Sequence, residues 1–389
     1  MGIKDLTKFL TNHIPDTSGI RNVNTCVLEN KVIAIDISIF LYQYACAIKN
    51  NSSSDLVNKD GEVITHVQAI VTKALGLIKK KIKPIFVFDG SAPIQKNHTL
   101  EGRNKTKKQA KEKIKNFNIQ INDLYQSMIS TPTTIDELDD QQLKMDQITE
   151  LKKKKLTASK QTTHISKKQM TECKEILELF GIPVVQAPSE ADPQCVHLTS
   201  RNIAYGVATE DMDILTFGAK HLIRKLSSSS QCIIYDFDTI ISDLGFTHDQ
   251  FIDACILLGC DYTGTIKGLG LRKIYNAIKT YGNIEKILTA NPKMSAEDCD
   301  YVVARQCFKH PDVIEVENIK WKITKYNELS QLLKEKYSYN HDEVDKLFNV
   351  LHGGYYSVIC GEKTIKQYKR DCTAYIKQKE LNMMDSDED

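Results

Sequence analysis

The sequence predicts an α/β protein, with a mostly parallel central sheet and helices on both of its faces. Three observations carry that prediction. Short β-branched apolar runs recur at strand length, without the alternation of a sheet that is wet on one side. Amphipathic stretches with helical spacing lie between them. Most of the runs end in Asp, Glu or Gly, as strands do where they leave a core.

Taken in order, "KVIAIDISIF" (31–40) predicts a buried parallel strand ending at Asp36. "HVQAIVTKALGLIKKKI" (66–82) predicts a helix, with apolar positions at Val67, Ile70, Val71, Ala74, Leu75 and Ile78. "KPIFVFDG" (83–90) predicts a second strand, ending at Asp89 and Gly90. A charged insertion with few helix breakers follows, at 96–165. "KKQMTECKEILELFG" (167–181) predicts an amphipathic helix stopped at Gly181. "IPVVQAPSEADPQ" (182–194) predicts a strand that runs into a helix, with Ser189 as cap and Asp192 as its capping-box partner. "IAYGVATEDMDIL" (203–215) predicts a fourth strand, closed by Glu210, Asp211 and Asp213. "FIDACILLGCDYTGTIKGLGLRKIYNAIKTYGNIEKIL" (251–288) predicts helix, Gly-rich hairpin, helix. The chain therefore divides at 1–95, 96–165, 166–290 and 291–384, with an acidic tail at 385–389. The fourth part is polar helix or loop.

Composition narrows the class. No apolar run approaches the ~20 residues of a membrane span, and no apolar stretch follows the charged start "MGIKDLTKFL". Eleven cysteines without a CxxC pair indicate reduced thiols in an intracellular protein. The net charge of +2 is unevenly spread. Lys96 to Lys115 holds eight Lys or Arg against two Glu, and Lys152 to Lys168 holds seven Lys and no acid. Residues 121–150 between them are acidic. A basic run alone is most often a solvated helix face. Two in one insertion suit an arm that meets a polyanion.

In parallel sheets chemistry sits at the carboxyl ends of the strands. Asp36, Asp89, Glu190, Asp192, Asp211 and Asp213 all lie at or just after such ends. One acid there would be an ordinary solvated turn. Acids at four ends converge on one crevice, where their repulsion requires counter-ions. All-oxygen carboxylate sites select Mg²⁺ or Mn²⁺. Two such ions ~3.5–4 Å apart activate a water and stabilise the leaving oxygen of a phosphodiester. Asp261 adds a seventh acid at the end of a helix. After it, Gly264, Gly268 and Gly270 precede another helix, with Lys267, Arg272 and Lys273 alongside. Such a turn offers backbone N–H groups to a phosphate, without sequence readout.

"MGIKDL", "AIDIS", "VFDG", "APSEADPQC", "ATEDMDILTFG" and "LLGCDYTGTIKGLG" resemble, in the same order, the motifs of the flap endonucleases, structure-specific 5′-nucleases of the xeroderma pigmentosum G-like family. The resemblance covers residues 1 to 290 and continues weakly through "ENIKWKI" (317–323). It implies a PIN-like nuclease core, a helical arch at 96–165 and a helix–hairpin–helix element. It implies two Mg²⁺ ions, with Mn²⁺ as alternative: Asp36, Asp89, Glu190 and Asp192 match one site, and Asp211, Asp213 and Asp261 the other. Glu210 belongs to the motif without being a ligand. Lys96 and Arg103 match catalytic cations at the arch base, Tyr42 an aromatic residue that stacks on the terminal base, and Gly2 an N-terminus tucked near the site. Lys49 and Lys73 match DNA-contacting positions where arginine is typical. The turn from Gly259 to Lys273, with Lys267 and Arg272, matches the element that grips duplex DNA and holds K⁺; Glu190 and Asp261 are counted among the DNA-facing residues.

The implied activity is hydrolysis at 5′ flaps or branched DNA in replication or repair, with 5′→3′ exonuclease action, by an intracellular monomer: in the nucleus if the source is a eukaryote, otherwise in the cytoplasm or at a viral replication site. An exonuclease on RNA or DNA ends and a non-catalytic branched-DNA-binding protein share the fold. Cleavage of a labelled flap with and without Mg²⁺ separates the three. The sequence departs from the family at Ser91 and Ala92, at Pro193 beside Asp192, and in a longer arch. It lacks the Q-x-x-[ILM]-x-x-F-F sequence that docks on a sliding clamp, so that partner is not expected by that route.

Overall fold

The structure is a computed structural model that describes residues 2–52, 54–128, 135–226, 230–266, 268–297 and 299–351. Lys267 and the acidic tail at 385–389 lie outside the described residues.

Seven strands form one sheet in the order β1-β7-β6-β5-β2-β3-β4. They are β1 Ile20–Asn24, β2 Val32–Asp36, β3 Lys83–Phe88, β4 Val184–Gln186, β5 Gly206–Ala208, β6 His221–Arg224 and β7 Gln231–Asp236. β4, β3, β2, β5 and β6 are mutually parallel. β7 turns antiparallel to β6 and takes β1 on its other side, also antiparallel. The four strands expected from the sequence are β2, β3, β4 and β5, all in the parallel part of the sheet, with β4 at its edge. β1, β6 and β7 are not apparent from the sequence: "IRNVN" and "HLIR" are half-polar, and "QCIIYD" lies outside the parallel pattern, pairing antiparallel on both sides. The run 31–40 is strand only to Asp36; "ISIF" opens the next helix.

The helices are α1 Leu6–His13, α2 Ile37–Ser52, α3 Thr65–Lys79, α4 Asn97–Gln126, α5 Ile135–Gln161, α6 Lys167–Phe180, α7 Ala191–Ser200, α8 Asp213–Thr216, α9 Phe237–Leu244, α10 His248–Leu258, α11 Leu271–Tyr281, α12 Ile284–Ala290, α13 Tyr301–Lys309, α14 Tyr326–Glu335 and α15 His341–Val350. Two cores flank the sheet. One gathers Phe9, Leu10, Leu198, Phe251 and Ile278 from α1, α7, α10 and α11. The other gathers Ile70, Ile78, Phe180, Leu333 and Phe348 from α3, α6, α14 and α15. Helices therefore cover both faces. α6 ends as expected, with Gly181 in the left-handed region at φ 79°. A Cβ there would lie 2.1 Å from the Lys322 carbonyl oxygen, because the extended segment before α14 crosses at this point. Trp321, in that segment, donates its indole N–H to the Pro84 carbonyl at 3.0 Å. The nine cysteines among the described residues are all unpaired.

α4 and α5 pack chiefly on each other, and α5 also touches α2. At 30 and 27 residues, they extend about 45 and 40 Å at 1.5 Å per residue. Their feet rest over the carboxyl ends of the parallel strands.

Candidate active site

The carboxyl ends of β2, β3 and β5 and the start of α7 after β4 open into one cleft of about 770 Å³. Asp36, Asp89, Glu190, Asp192, Asp211 and Asp261 line it, under Lys96, Arg103 and Lys107 from the foot of the arch. Asp213 sits just behind Asp211, buried, and its backbone N–H donates to Asp211 Oδ1 at 3.1 Å. The seven acids picked out by sequence are thus brought together.

Each is held by the element that carries it. Asp36 ends β2; its carboxylate accepts the Ser38 N–H at 3.0 Å and the Thr209 hydroxyl at 3.3 Å. Asp89 follows β3 and accepts the Ala191 N–H at 2.8 Å. That contact replaces the expected local cap. Glu190, not Ser189, occupies the N-cap of α7, and no side chain caps it from within. Asp89 from the neighbouring strand caps α7 instead, which fixes that helix against the floor. Pro193 lies in the first turn, where no intrahelical N–H bond is lost, and Asp192 still faces the cleft.

The N-terminal segment closes one side. The Ile3 N–H donates to Asp213 Oδ1 at 2.5 Å. Gly2, at φ 86°, lies so close that a Cβ would be 2.0 Å from Asp211 Oδ1. Glu210 turns away, accepting the Lys225 N–H at 2.6 Å and Arg224 Nε at 3.3 Å.

Two cations bridge the arch to the floor. Lys96 Nζ lies 2.5 Å from Glu190 Oε1 and 4.0 Å from Asp261 Oδ2. Arg103 reaches Asp261 Oδ2 at 2.6 Å. Burial works against the Lys96 charge, but Glu190, with Asp192 and Asp213 behind it, together outweigh burial and raise its pKa. The sequence reading missed Tyr262, whose hydroxyl donates to Glu190 Oε2 at 2.6 Å under the Lys96 ammonium. Its position next to Asp261 was the available signal. Thr163 and His164, which line the cleft from the link after α5, carry no local signal.

The floor is electrostatically strained. Burial, and then Asp89, pushes the Asp36 carboxyl up to about 8. Burial first, then Asp36, Asp211 and Asp213, raises Asp192 well above the carboxylate range. Burial and Asp211 do the same to Asp213. Asp192 Oδ1 is buried without a hydrogen-bond partner. Among the described residues no three His, Cys, Asp or Glu side chains are gathered as a ready metal site; Glu190 pairs with Lys96 and Asp261 with Arg103. An all-oxygen donor set with an orphaned buried carboxylate oxygen fits hard divalent cations.

The other singled-out residues divide. Tyr42 lines the cleft, its hydroxyl donating to the Lys160 carbonyl at 3.3 Å. Lys49 is engaged by Thr163 at 3.2 Å and Asp55 at 3.5 Å. Lys73 is outside the cleft. It lines a neighbouring cavity with Phe40 and Glu210 and donates to the Leu226 carbonyl at 2.7 Å. The hairpin runs from α10 to α11. Gly259 at φ 109° accepts the Lys4 N–H at 3.1 Å, and Gly268 at φ 103° has open space beside it. Arg272 and Lys273 are exposed in the first turn of α11.

Two family models match: the XPG N-terminal domain over residues 1–110 and the XPG I-region over 181–261. Flap endonuclease 1 of Plasmodium knowlesi is 35% identical over 90% of this chain and 58% of its own. Those of Cryptosporidium parvum and Heterostelium pallidum are 35% and 33% identical over 89% of this chain, and 69% and 84% of theirs. The chain thus spans little more than half the length of the Plasmodium knowlesi and Plasmodium vivax relatives. The catalytic core of Rad2 in complex with DNA substrate superposes with a TM-score of 0.63 at 20% identity, covering 89% of this chain and 99% of that one. The Methanococcus jannaschii flap endonuclease-1 does so at 0.61 and 24%, covering 88% and 98%. These solved structures share the PIN-like nuclease fold. With the relatives' identity and coverage, they lead to one conclusion: the chain belongs to the flap endonuclease family of XPG nucleases.

Proposed function

We propose that this chain is a structure-specific nuclease that hydrolyses phosphodiester bonds at 5′ flaps of branched DNA, using divalent cations. One observation carries the reading: carboxylates from separate strand ends, Asp36, Asp211 and Asp213 buried among them, converge beneath a helical roof whose cations already reach Glu190 and Asp261. Asp36, Asp89, Glu190 and Asp192 would hold one ion, and Asp211, Asp213 and Asp261 a second. Mg²⁺ is the expected metal, with Mn²⁺ as substitute. When bound, the ions supply the positive charge that activates a water and stabilises the leaving 3′-oxygen.

The chain's own residues do the rest. Lys96 and Arg103 exchange their carboxylate partners for the scissile phosphate and hold it over an otherwise repelling floor. Tyr42, at the cleft wall, stacks on the terminal unpaired base. Gly2 keeps the N-terminal backbone against Asp211 and Asp213. Backbone N–H groups at the start of α11, with Lys267, Arg272 and Lys273, hold duplex phosphates without reading bases, and K⁺ is the expected ion of that turn. Lys49 and Lys73 join DNA only by leaving Asp55 and the Leu226 carbonyl. No side-chain nucleophile is required. The same floor serves 5′→3′ exonuclease action when the single-stranded arm is short. We place this action inside the cell, in the nucleus of a eukaryote.

The test is cleavage of a 5′-flap labelled at its terminus, with Mg²⁺, with Ca²⁺ and with chelator. A single released flap product with Mg²⁺ alone is expected. Binding without cleavage under all metals would leave a branched-DNA-binding protein, and release of mononucleotides alone an exonuclease.

A further inference from the structure

α2 separates two chambers. Ser38 and Tyr42, on one face, line the cleft. On the next face Ile39, Phe40, Gln43, Tyr44 and Ala47 recur at helical steps of three and four and line a second cavity, of about 240 Å³. Its back wall is the sheet, through Ile35 of β2, Ala208 of β5 and Ile223 of β6. A stripe of this kind ordinarily packs onto the sheet and closes. Here a space is left between them, and the chemistry of the cleft does not use it.

The lining is mostly carbon, broken by a few polar groups, as in sites for small organic ligands. Lys73, from α3, donates to the Leu226 carbonyl at 2.7 Å, its Nζ 4.7 Å from the centre of the Phe40 ring. An ammonium has three N–H donors, and among the described residues this is the one hydrogen bond that Lys73 makes. Glu210 lines the same cavity, near enough to pull on the Lys73 charge. The rings of Phe40 and Tyr44 lie 5.9 Å apart at 46°.

These groups select among ligands. A phosphate would lose its water to carbon walls and be repelled by Glu210. A fully apolar molecule would leave the spare Lys73 donors unmatched. A flat heteroaromatic ring with an acceptor edge and a donor edge satisfies both charges, and the aromatic pair flanks its body. An apolar cavity of ~150 Å³ already holds benzene, so this larger one has room for a bicyclic ring. Guanine presents O6 and N7 as adjacent acceptors and its 2-amino group as a donor on another edge.

We infer that the cavity behind α2 is a nucleobase-binding site that favours guanine, with Lys73 donating to the acceptor edge, Glu210 accepting from the amino group, and Phe40 and Tyr44 flanking the ring. Lys73 keeps the Leu226 carbonyl while its remaining donors take the base. The base belongs either to a free nucleotide or to an extruded position of bound DNA; the recognition is the same. The site lies outside the metal floor, so it goes beyond the nuclease reading and does not depend on it.

The test offers nucleosides, which carry no phosphate, to the full chain with chelator present, and reads binding by equilibrium dialysis. Guanosine should bind at least about tenfold more tightly than adenosine or cytidine, the scale of one hydrogen bond to a charged group. Lys73→Met should weaken guanosine by about the same factor. Ala47→Phe, which fills the space, should abolish binding. Phe40→Leu keeps the wall apolar and should weaken it, so the outcome does not hang on one variant; thermal unfolding checks that each is folded. Tyr42→Ala should leave guanosine affinity unchanged, because Tyr42 faces the cleft. 2-Aminopurine placed singly at each position around the junction of a 5′-flap, in Ca²⁺, then identifies the source. One quenched position that recovers in Ala47→Phe gives an extruded base; no such position, with guanosine still held, gives a free nucleotide. Neither guanosine binding nor a responding position overturns the inference. So does guanosine binding that is lost in Tyr42→Ala and kept in Ala47→Phe. Failure of the nuclease reading looks different: no flap is cleaved with Mg²⁺, whatever the dialysis shows.

Discussion

The floor and the roof of the cleft carry opposite charges in opposite physical settings. The floor acids are built on strand ends and the α7 start and held by backbone and hydroxyl donors; Asp36, Asp211 and Asp213 are buried, Glu190, Asp192 and Asp261 half-buried, and Asp89 opens to the cleft mouth. The roof cations of the arch mostly lie on exposed helix faces. Burial has moved Asp36, Asp192 and Asp213 far from their ordinary titration. Lys96, the roof cation drawn into the floor, is perturbed as well. The contrast teaches that placement, more than sign, decides how much a charged residue is felt. It makes the floor intolerant of change and the arch tolerant, and it orders the expected effects.

The largest effect belongs to the floor. Asp211→Asn or Asp261→Asn removes one carboxylate charge from a set that the divalent ions balance. Single-turnover flap cleavage should fall by ~10³-fold or more, while flap affinity in Ca²⁺ stays close to wild type because phosphate contacts elsewhere supply it. Wild-type cleavage by either variant would show that the acid is not part of the reacting set, and would remove the asymmetry between floor and roof.

Next comes the one place where the roof behaves like the floor. Arg103 is nearly half exposed, yet it meets Asp261 at 2.6 Å. Arg103→Ala should slow single-turnover cleavage by ~10²-fold, the scale of losing one preorganised donor to the growing charge. Binding should fall much less. A tenfold or smaller loss, or one explained by affinity, would return Arg103 to the ordinary solvated arch.

The same contrast explains what the sequence revealed. β2, β3 and β5 and the acids ending them were legible because burial on both faces forces continuous apolar runs, and a crevice of acids leaves a pattern in the chain; the edge strand β4 was legible from its short apolar run before "APSEADPQ". α6, the helix–hairpin–helix and its Gly turns were legible for similar local reasons. The antiparallel β1, β6 and β7 were not, since their pairing is decided by tertiary contact. Nor was the capping of α7 by Asp89, because the local Ser189 signal lost to an acceptor on another strand. Lys73 illustrates the converse. A lysine in a motif carries charge in the sequence, but only the fold shows that its ammonium points into a cavity and not into the cleft.

Two glycines compare floor and roof directly at a smaller scale. Gly2 has φ 86° and no room for a methyl group between itself and Asp211. Gly102 sits in α4 with nothing within 4 Å of a Cβ. Gly2→Ala should reduce cleavage about tenfold by displacing the Asp211 and Asp213 carboxylates, at a local strain of ~1–3 kcal/mol. Gly102→Ala should keep cleavage near wild type and stabilise the helix by up to ~1 kcal/mol. Thermal unfolding and single-turnover rates of the two variants, measured together, check both halves. Equal effects would mean that the floor is no more crowded than the roof.

The smallest effect tests whether burial alone produces the difference, using a cation outside both regions. Lys73 Nζ lies inside a cavity under the Phe40 ring and donates to the Leu226 carbonyl. Burial lowers its pKa from 10.5 to about 8, against a weaker opposing pull from Glu210. The folded protein therefore releases this proton at lower pH than the unfolded chain does. Between about pH 8 and 10.5 the unfolded state binds the extra proton, so stability rises with pH across that window. Below about pH 8 both states are protonated and the full cost of the buried charge remains. Lys73→Met has no such titration. The stability of wild type relative to Lys73→Met should be flat from pH 6 to about 7.5, then climb toward pH 10 by at most about 3 kcal/mol. Other titrations are common to both proteins and cancel in the difference, which denaturant melts can read at each pH. A difference that stays flat to pH 10 would mean that the Lys73 ammonium is as well solvated as the arch lysines, and that the strain of the floor comes from crowding of like charges and not from burial.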